Sequence, residues 1–352
     1  MSGELFARVA DLPLIVEEYA LDRLERDVSS DFTRVSTIVR LFGMGTEGVG
    51  EDVVYDAEDH DVLQEAGPTL PLAGDWTFGA FCDHVESLNL FPEPPKTPVS
   101  ARYRIWTYQS AALDLALRQA GKPLHAVLGR EPRPLRFVVS LRLGAPSTIA
   151  PLRARLDAYP SLEFKLDPTN DWDDALVAEI AATGAVESVD FKGHYKGTIV
   201  DTVPEPALYE RVLAAFPEAW IEDPHSGVPE IDEILLPHRD RVSWDAPIHS
   251  VADILALPWP PKMVNVKPSR LGPIRELFAA YEHCEANGIR MYGGGQFELG
   301  PGRGQIQYLA SLFHADGPND TAPTGYNEPS PPAGLPDSPL PVQASAIGFR
   351  WG

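Results

Sequence analysis

The chain has 352 residues, 44% of them hydrophobic, enough apolar material for a large core and too much for a wholly disordered protein. Lys and Arg total 29 against 51 Asp and Glu, a formal charge of −22, and a field of that sign repels nucleic acid and anionic membrane. It leaves room for an anionic substrate, because lysines and a metal gathered in one cleft reverse the local potential. The cysteines, Cys82 and Cys284, have no metal-type spacing and read as free thiols of a reducing compartment. No apolar run approaches the ~18 residues of a membrane span. Met1–Leu5 opens no signal peptide, so a cytoplasmic location is expected.

In chain order, the first hundred residues lack a regular strand–helix alternation. Thr33–Leu41, β-branched and alternating, predicts a strand; Phe42–Glu51 follows as a glycine-rich turn and Asp52–Tyr55 as a second strand. The glycine run opens no helix and has no Gly-Lys-Ser/Thr, so it reads as a mobile turn rather than a phosphate loop. Residues 91–99 form a proline-rich connector. Ala101–Ala120 carries Ile105, Tyr108, Ala112, Leu115 and Ala116 at helical spacing, and Leu124–Leu128 makes a short second helix.

From Arg136 strand and helix alternate. Strands are predicted over 136–143, 162–166, 187–191, 219–222, 241–245, 263–267 and 289–292, with an eighth at 314–320. Helices fill 148–158, 172–182, 207–216, 231–236, 251–257, 274–287 and 303–313. Such a series predicts a closed (β/α) barrel, with an open doubly wound sheet as the alternative. Pro318–Pro341 reads as irregular, and Pro341–Phe349 as a final strand returning to the N-terminal sheet.

Five of these strands end in charge. The steps between Lys165, Asp190, Glu222, Asp245 and Lys267 are 25, 32, 23 and 22 residues, about one strand, one crossover helix and two loops. Side chains alternate along a strand, so Lys165 and Asp167 share a face, as do Asp190 and Lys192, Ser243 and Asp245, and Asn265 and Lys267. The bulky row opposite packs under the helices, which turns the charges inward at the strand ends where barrel enzymes carry their chemistry. Three acids on consecutive strands repel unless a cation sits among them. A hard divalent ion, Mg²⁺ with Mn²⁺ as a substitute, suits oxygen ligands and open positions. Asp190, Glu222 and Asp245 are therefore the candidate metal ligands, against the alternative of a rim ion-pair network. Lys267, one strand on and facing the same way, is the candidate acid/base, because a cation crowded by another loses its proton more readily.

In these residues the chain resembles the enolase superfamily, in its muconate-lactonising branch, with spacing similar to o-succinylbenzoate synthase. The carrying pieces are Asp190, Ile221-Glu222-Asp223-Pro224, Trp244-Asp245 and Val264–Gly272, flanked by Ala111–Ala116 with Gly121-Lys122-Pro123 and Leu128-Gly129, and by Gly293–Glu298 with Gly302-Arg303-Gly304. The resemblance implies a modified (β/α)7β barrel with an N-terminal α+β capping domain completed by the C-terminal segment. Residues 1–133 would form the cap with its connecting helices, 134–322 the barrel, and 323–352 the returning segment. It implies Mg²⁺-dependent removal of the proton alpha to the carboxylate of a small substrate, the metal stabilising the enediolate, and then elimination, cycloisomerisation or epimerisation. A silent relative that binds metal and ligand without turnover is the alternative.

Two positions depart from that branch. Its second strand has Lys-x-Lys, where this chain has Lys165-Leu166-Asp167, and its third has Asp-x-Asn, where this chain has Asp190-Phe191-Lys192. A lysine lost on one strand and gained on the next suggests that Lys192 takes the missing place, paired with Asp167; the alternatives are a plain ion pair or Asp167 as an extra ligand. His194, His225 and His249 follow the third, fourth and fifth strands, and His225 is a candidate substrate contact together with Asp167, Glu298 and Arg303, the last near a helix start. A mandelate-racemase site would carry a His–Asp pair on strands six and seven, and Lys267 argues against it. Specificity would fall to the capping loops, chiefly 42–52, and homo-oligomers are common among such barrels.

Overall fold

A computed structural model of the protein describes residues 3–28, 32–197, 202–328 and 330–352. The N-terminal part holds two small sheets. In order come β1 (Pro13–Val16), β2 (Glu18–Val28), β3 (Phe32–Gly43), β4 (Thr46–Asp52) and β5 (Gly74–Thr77). β1 pairs with β5, and β2-β3-β4 form an antiparallel meander.

The glycine-rich run is not a mobile turn. The turn is confined to Met44-Gly45, both at positive φ, and the strand β4 begins at Thr46. The glycines serve packing: a Cβ on Gly48 would stand 2.2 Å from the Ala111 carbonyl oxygen, and one on Gly50 2.1 Å from that of Thr107. Helix Ser100–Gln119, with Ala111, Ala112 and Ala116 buried, can thus lie flat on β4.

The barrel strands are β6 (Val139–Leu141), β7 (Phe164–Leu166), β8 (Val186–Asp190), β9 (Trp220–Glu222), β10 (Val242–Trp244), β11 (Met263–Val266) and β12 (Arg290–Gly293), parallel and paired in sequential order. Their outward row (Phe164, Leu166, Val189, Ile221, Val242, Trp244, Val264 and Val266) is fully buried under the helices. The expected eighth strand is absent as a strand. Two isolated parallel bridges, Gly294 with Asp320 and Phe137 with Asn319, fill its place and close the circle. Gly317-Pro318 precedes them, and a proline without an N–H cannot continue a ladder.

The last segment returns to the N-terminal part, where the Arg350 guanidinium donates to the Glu47 carbonyl of β4 (3.2 Å), but not as the strand expected. It forms no strand on the N-terminal sheet but docks on the end of helix Ser100–Gln119, where buried Asp114 accepts the Phe349 N–H (2.8 Å) and the Arg350 Nε–H (2.8 Å). Cap and barrel meet at Glu51 of β4. Its carboxylate accepts from Ser36 Oγ (2.8 Å) and from the N–H groups of Leu299 (2.6 Å), Gly300 (2.9 Å) and Gly302 (3.0 Å), at the start of helix Pro301–Phe313. Among the described residues no helix is long and apolar enough to cross a membrane.

Candidate active site

The ladder register sets the heights of the charged side chains. Asp190 of β8 stands level with Glu222 of β9, and Glu222 level with Ser243 of β10. Asp245, two residues on from Ser243, is one pleat higher, while Lys165 is level with Ser188, one pleat lower. Rooted below, Lys165 reaches up to two of these acids and to Asp320. Its ammonium lies 2.9 Å from Glu222 Oε1, 3.1 Å from Asp320 Oδ2 and 3.5 Å from Asp190 Oδ2.

The structure gathers the other charges around that centre. Lys192, at φ 55°, bonds Asp190 and lies 3.5 Å from Asp167 Oδ1, while Arg142 Nε meets Asp167 Oδ2 at 3.1 Å. Lys267 Nζ is 2.9 Å from Asp245 Oδ2, which also accepts from the Tyr195 hydroxyl at 3.2 Å. Arg270 takes Asp245 Oδ1 at 2.7 Å. Gly294 lets Lys267 lie where it does, since a Cβ there would come within 2.8 Å of the lysine Cε.

Electrostatics sort these groups. Burial pushes Asp245 up, but Arg270 and Lys267 outweigh it and hold the carboxyl well below the usual range. Burial likewise opposes charge on Asp190, and Lys192 with Lys165 overcomes it. Glu222 is the least compensated: burial drives it well above the ordinary value, with Lys165 opposing and Asp190 and Asp245 adding to the rise. Asp223 is pushed up to about 7 by burial and by Asp245 and Asp190. Among the lysines, burial disfavours charge on Lys165, yet Asp320, Glu222 and Asp190 lift it well above normal. Lys267 goes the other way, lowered by burial and by Arg270 against the pull of Asp245.

The donor chemistry fits a hard divalent cation. Asp190, Glu222 and Asp245 offer oxygen only, and Glu222 Oε2 is buried without a hydrogen-bond partner among the described residues. As the side chains stand, however, no three His, Cys, Asp or Glu among the described residues converge closely enough to hold a metal ion. The acids are turned instead to Lys165, Lys192, Lys267 and Arg270.

The remaining sequence candidates lie away from this ring or serve other contacts. His225 is buried, accepts at Nδ1 from the Tyr209 hydroxyl (2.8 Å) and so donates from Nε2 to the Thr202 carbonyl (2.8 Å). His194 lies against Trp244, ring centres 5.7 Å apart, and the His249 Nδ1–H donates to the Pro247 carbonyl at 3.2 Å. Glu298 accepts the Gln296 N–H (2.7 Å) and stands 3.7 Å from Arg303. The helix start near Arg303 is already taken by a carboxylate of the chain itself, Glu51. Reasoning from sequence missed Asp320, Arg270, Arg142, Tyr195 and Asp223. Asp320 was within reach, since it ends the segment expected as the eighth strand.

A family profile described as the C-terminal domain of a domain of unknown function, DUF8230, matches residues 131–328, and its N-terminal counterpart matches 7–127. The chain belongs to that family. It is 24% identical over 335 residues to an N-succinylamino acid racemase of Thermus thermophilus, covering 90% of this chain and 84% of that one. An o-succinylbenzoate synthase of Geobacillus stearothermophilus is 25% identical over 227 residues, 62% of this chain and 58% of that one. A dipeptide epimerase from Methylococcus capsulatus, complexed with Mg ion, superposes with a TM-score of 0.64 at 18% identity, covering 86% of this chain and 88% of that one. The fold is that of the enolase superfamily, and these relatives are isomerases and lyases.

Proposed function

We propose that the chain is an isomerase or lyase that removes the proton alpha to the carboxylate of a small substrate, with Lys267 as base. One observation carries the reading: among the described residues Lys267 is the ring lysine in direct ion-pair contact with one acid, Asp245, and its ammonium is the most easily deprotonated of the three. Asp190, Glu222 and Asp245 would hold a divalent cation, Mg²⁺ or Mn²⁺. Such an ion would supply Lewis-acid stabilisation of the charge that grows on the substrate carboxylate.

The chain's own residues do the rest. Lys165, ringed by Asp190, Glu222 and Asp320, stays protonated and offsets the acids. Lys192, held between Asp190 and Asp167, brings an ammonium to the face of the ring that a second-strand lysine would otherwise serve. With Lys192 committed to two acids, one effective base remains, which favours elimination or cycloisomerisation over racemisation.

The names of the relatives suggest which acids to try first, N-succinyl amino acids and dipeptides. Incubation in D₂O with Mg²⁺ should exchange the alpha proton of at least one of them, and Lys267→Ala should reduce that exchange by about 10²-fold or more. Exchange that persists in Lys267→Ala removes the lysine from the mechanism. No exchange across a broad panel of carboxylic acids would favour the second reading, a relative that binds without turnover.

A further inference from the structure

We propose that Asp223 is a positioning residue, which aims Asp245 into the barrel by gripping the backbone just past the end of β10. The proposal rests on the reading of Asp245 as a cation ligand. β10 ends at Trp244, so the peptides of Asp245 and Ala246 lie beyond its ladder. Both of their N–H groups are taken by one side chain: Asp245 donates to Asp223 Oδ1 and Ala246 to Asp223 Oδ2, each at 2.8 Å. Two bonds to one planar carboxylate fix the rotation of this stretch of backbone as well as its place. The Cα–Cβ bond of Asp245 is thereby directed inward, where Arg270 and Lys267 meet its oxygens.

The residue type follows from the same geometry. Asp223 sits at φ 44°, a left-handed backbone that Asp and Asn tolerate better than other side chains. That turn sends its side chain across to the neighbouring strand while Glu222, one residue back, stays in the ring. An amide could accept only one of the two N–H groups, so only a carboxylate serves both. The main chain of Asp223 ties in the other neighbours: its N–H donates to the Ser243 carbonyl (3.0 Å) and its carbonyl accepts from Gly193 (2.8 Å). Gly193 must approach closely, since a Cβ there would lie 2.6 Å from His225 N. One residue thus joins the ends of β8, β9 and β10, which carry the three acids.

The test compares the full chain with Asp223→Asn and Asp223→Ala in two measurements. Amide hydrogen exchange, read by fragmentation mass spectrometry, should speed up at Asp245 and Ala246 by about tenfold or more, with the amides of β11 unchanged. Mn²⁺ affinity, read by electron paramagnetic resonance, should fall by about 10- to 100-fold in Asp223→Ala and less in Asp223→Asn, which keeps one acceptor. Unchanged protection at residues 245 and 246 overturns the proposal, and so does weaker Mn²⁺ binding with protection intact, which would mean that Asp223 acts by its charge alone. Should Asp223→Ala fail to fold, the near-isosteric Asp223→Asn decides. If the unaltered chain binds no Mn²⁺, the cation reading fails, while amide exchange still decides whether Asp223 holds the peptide.

Discussion

Lys165 and Lys267 have the same side chain and end as opposites because of their company. Three carboxylates within 3.5 Å hold Lys165 charged, whereas Lys267 shares Asp245 with Arg270 and the Tyr195 hydroxyl. Burial, rather than charged company, governs a histidine outside the ring. His314 is buried, donates from Nδ1 to Asn319 Oδ1 (2.7 Å) and has a pKa lowered to about 4, mainly by burial. A pKa depressed on folding leaves native stability intact above the unfolded value of ~6.5. Below that, the unfolded chain takes up the proton first, and stability is lost as pH falls toward 4, in total by about 3 kcal/mol. Urea unfolding at pH 7 and pH 5 should therefore show wild type losing roughly 2 kcal/mol more than His314→Gln over that interval. Equal losses would show that His314 titrates normally in the folded chain.

At the scale of elements, β4 and helix Ser100–Gln119 depend on the absence of side chains. A methyl group on Gly50 would meet a helix carbonyl at 2.1 Å, and a main-chain carbonyl inside a helix has little room to yield. Gly50→Ala should cost about 3 kcal/mol or more, seen as a fall in Tm of several degrees, while Gly121→Ala, with open space around it but a left-handed backbone, should cost less. Read along the sequence, the glycines signal flexibility. Only the helix lying across them shows that their purpose is close contact, and that helix is some sixty residues further along the chain.

At the scale of the whole molecule, Glu51 is one of several ties between cap and barrel, beside Gln305 on the Val49 carbonyl (2.7 Å) and Arg102 on the Leu271 carbonyl (3.0 Å). Removing the Glu51 carboxylate leaves the N–H groups of Leu299, Gly300 and Gly302 without their acceptor at a buried boundary, at about 1–3 kcal/mol for each that stays unsatisfied. Glu51→Ala should split thermal unfolding into separate cap and barrel transitions, or lower the single transition markedly, and should speed proteolysis between residues 294 and 300. A single transition at the wild-type temperature would show that the cap is held by other contacts. The strand-end loop that carries Gln296 and Glu298 is also tied to the cap through the Tyr55 hydroxyl on Gln296 Oε1 (2.9 Å).

The barrel, the inward row and the strand ends that carry Lys165, Asp190, Glu222, Asp245 and Lys267 were legible along the chain. Alternation along a strand and the rhythm of strand and helix are local properties, legible within a few residues. Which charges meet became visible only in the folded chain: Asp320 on Lys165, Arg270 on Asp245, Glu51 on a helix of the barrel. The fold also gave His225 its partners Tyr209 and Thr202, and turned a glycine-rich turn into a strand. Pairing across 155 residues, as between Lys165 and Asp320, depends on barrel closure and register, and neither leaves a periodic mark on the chain.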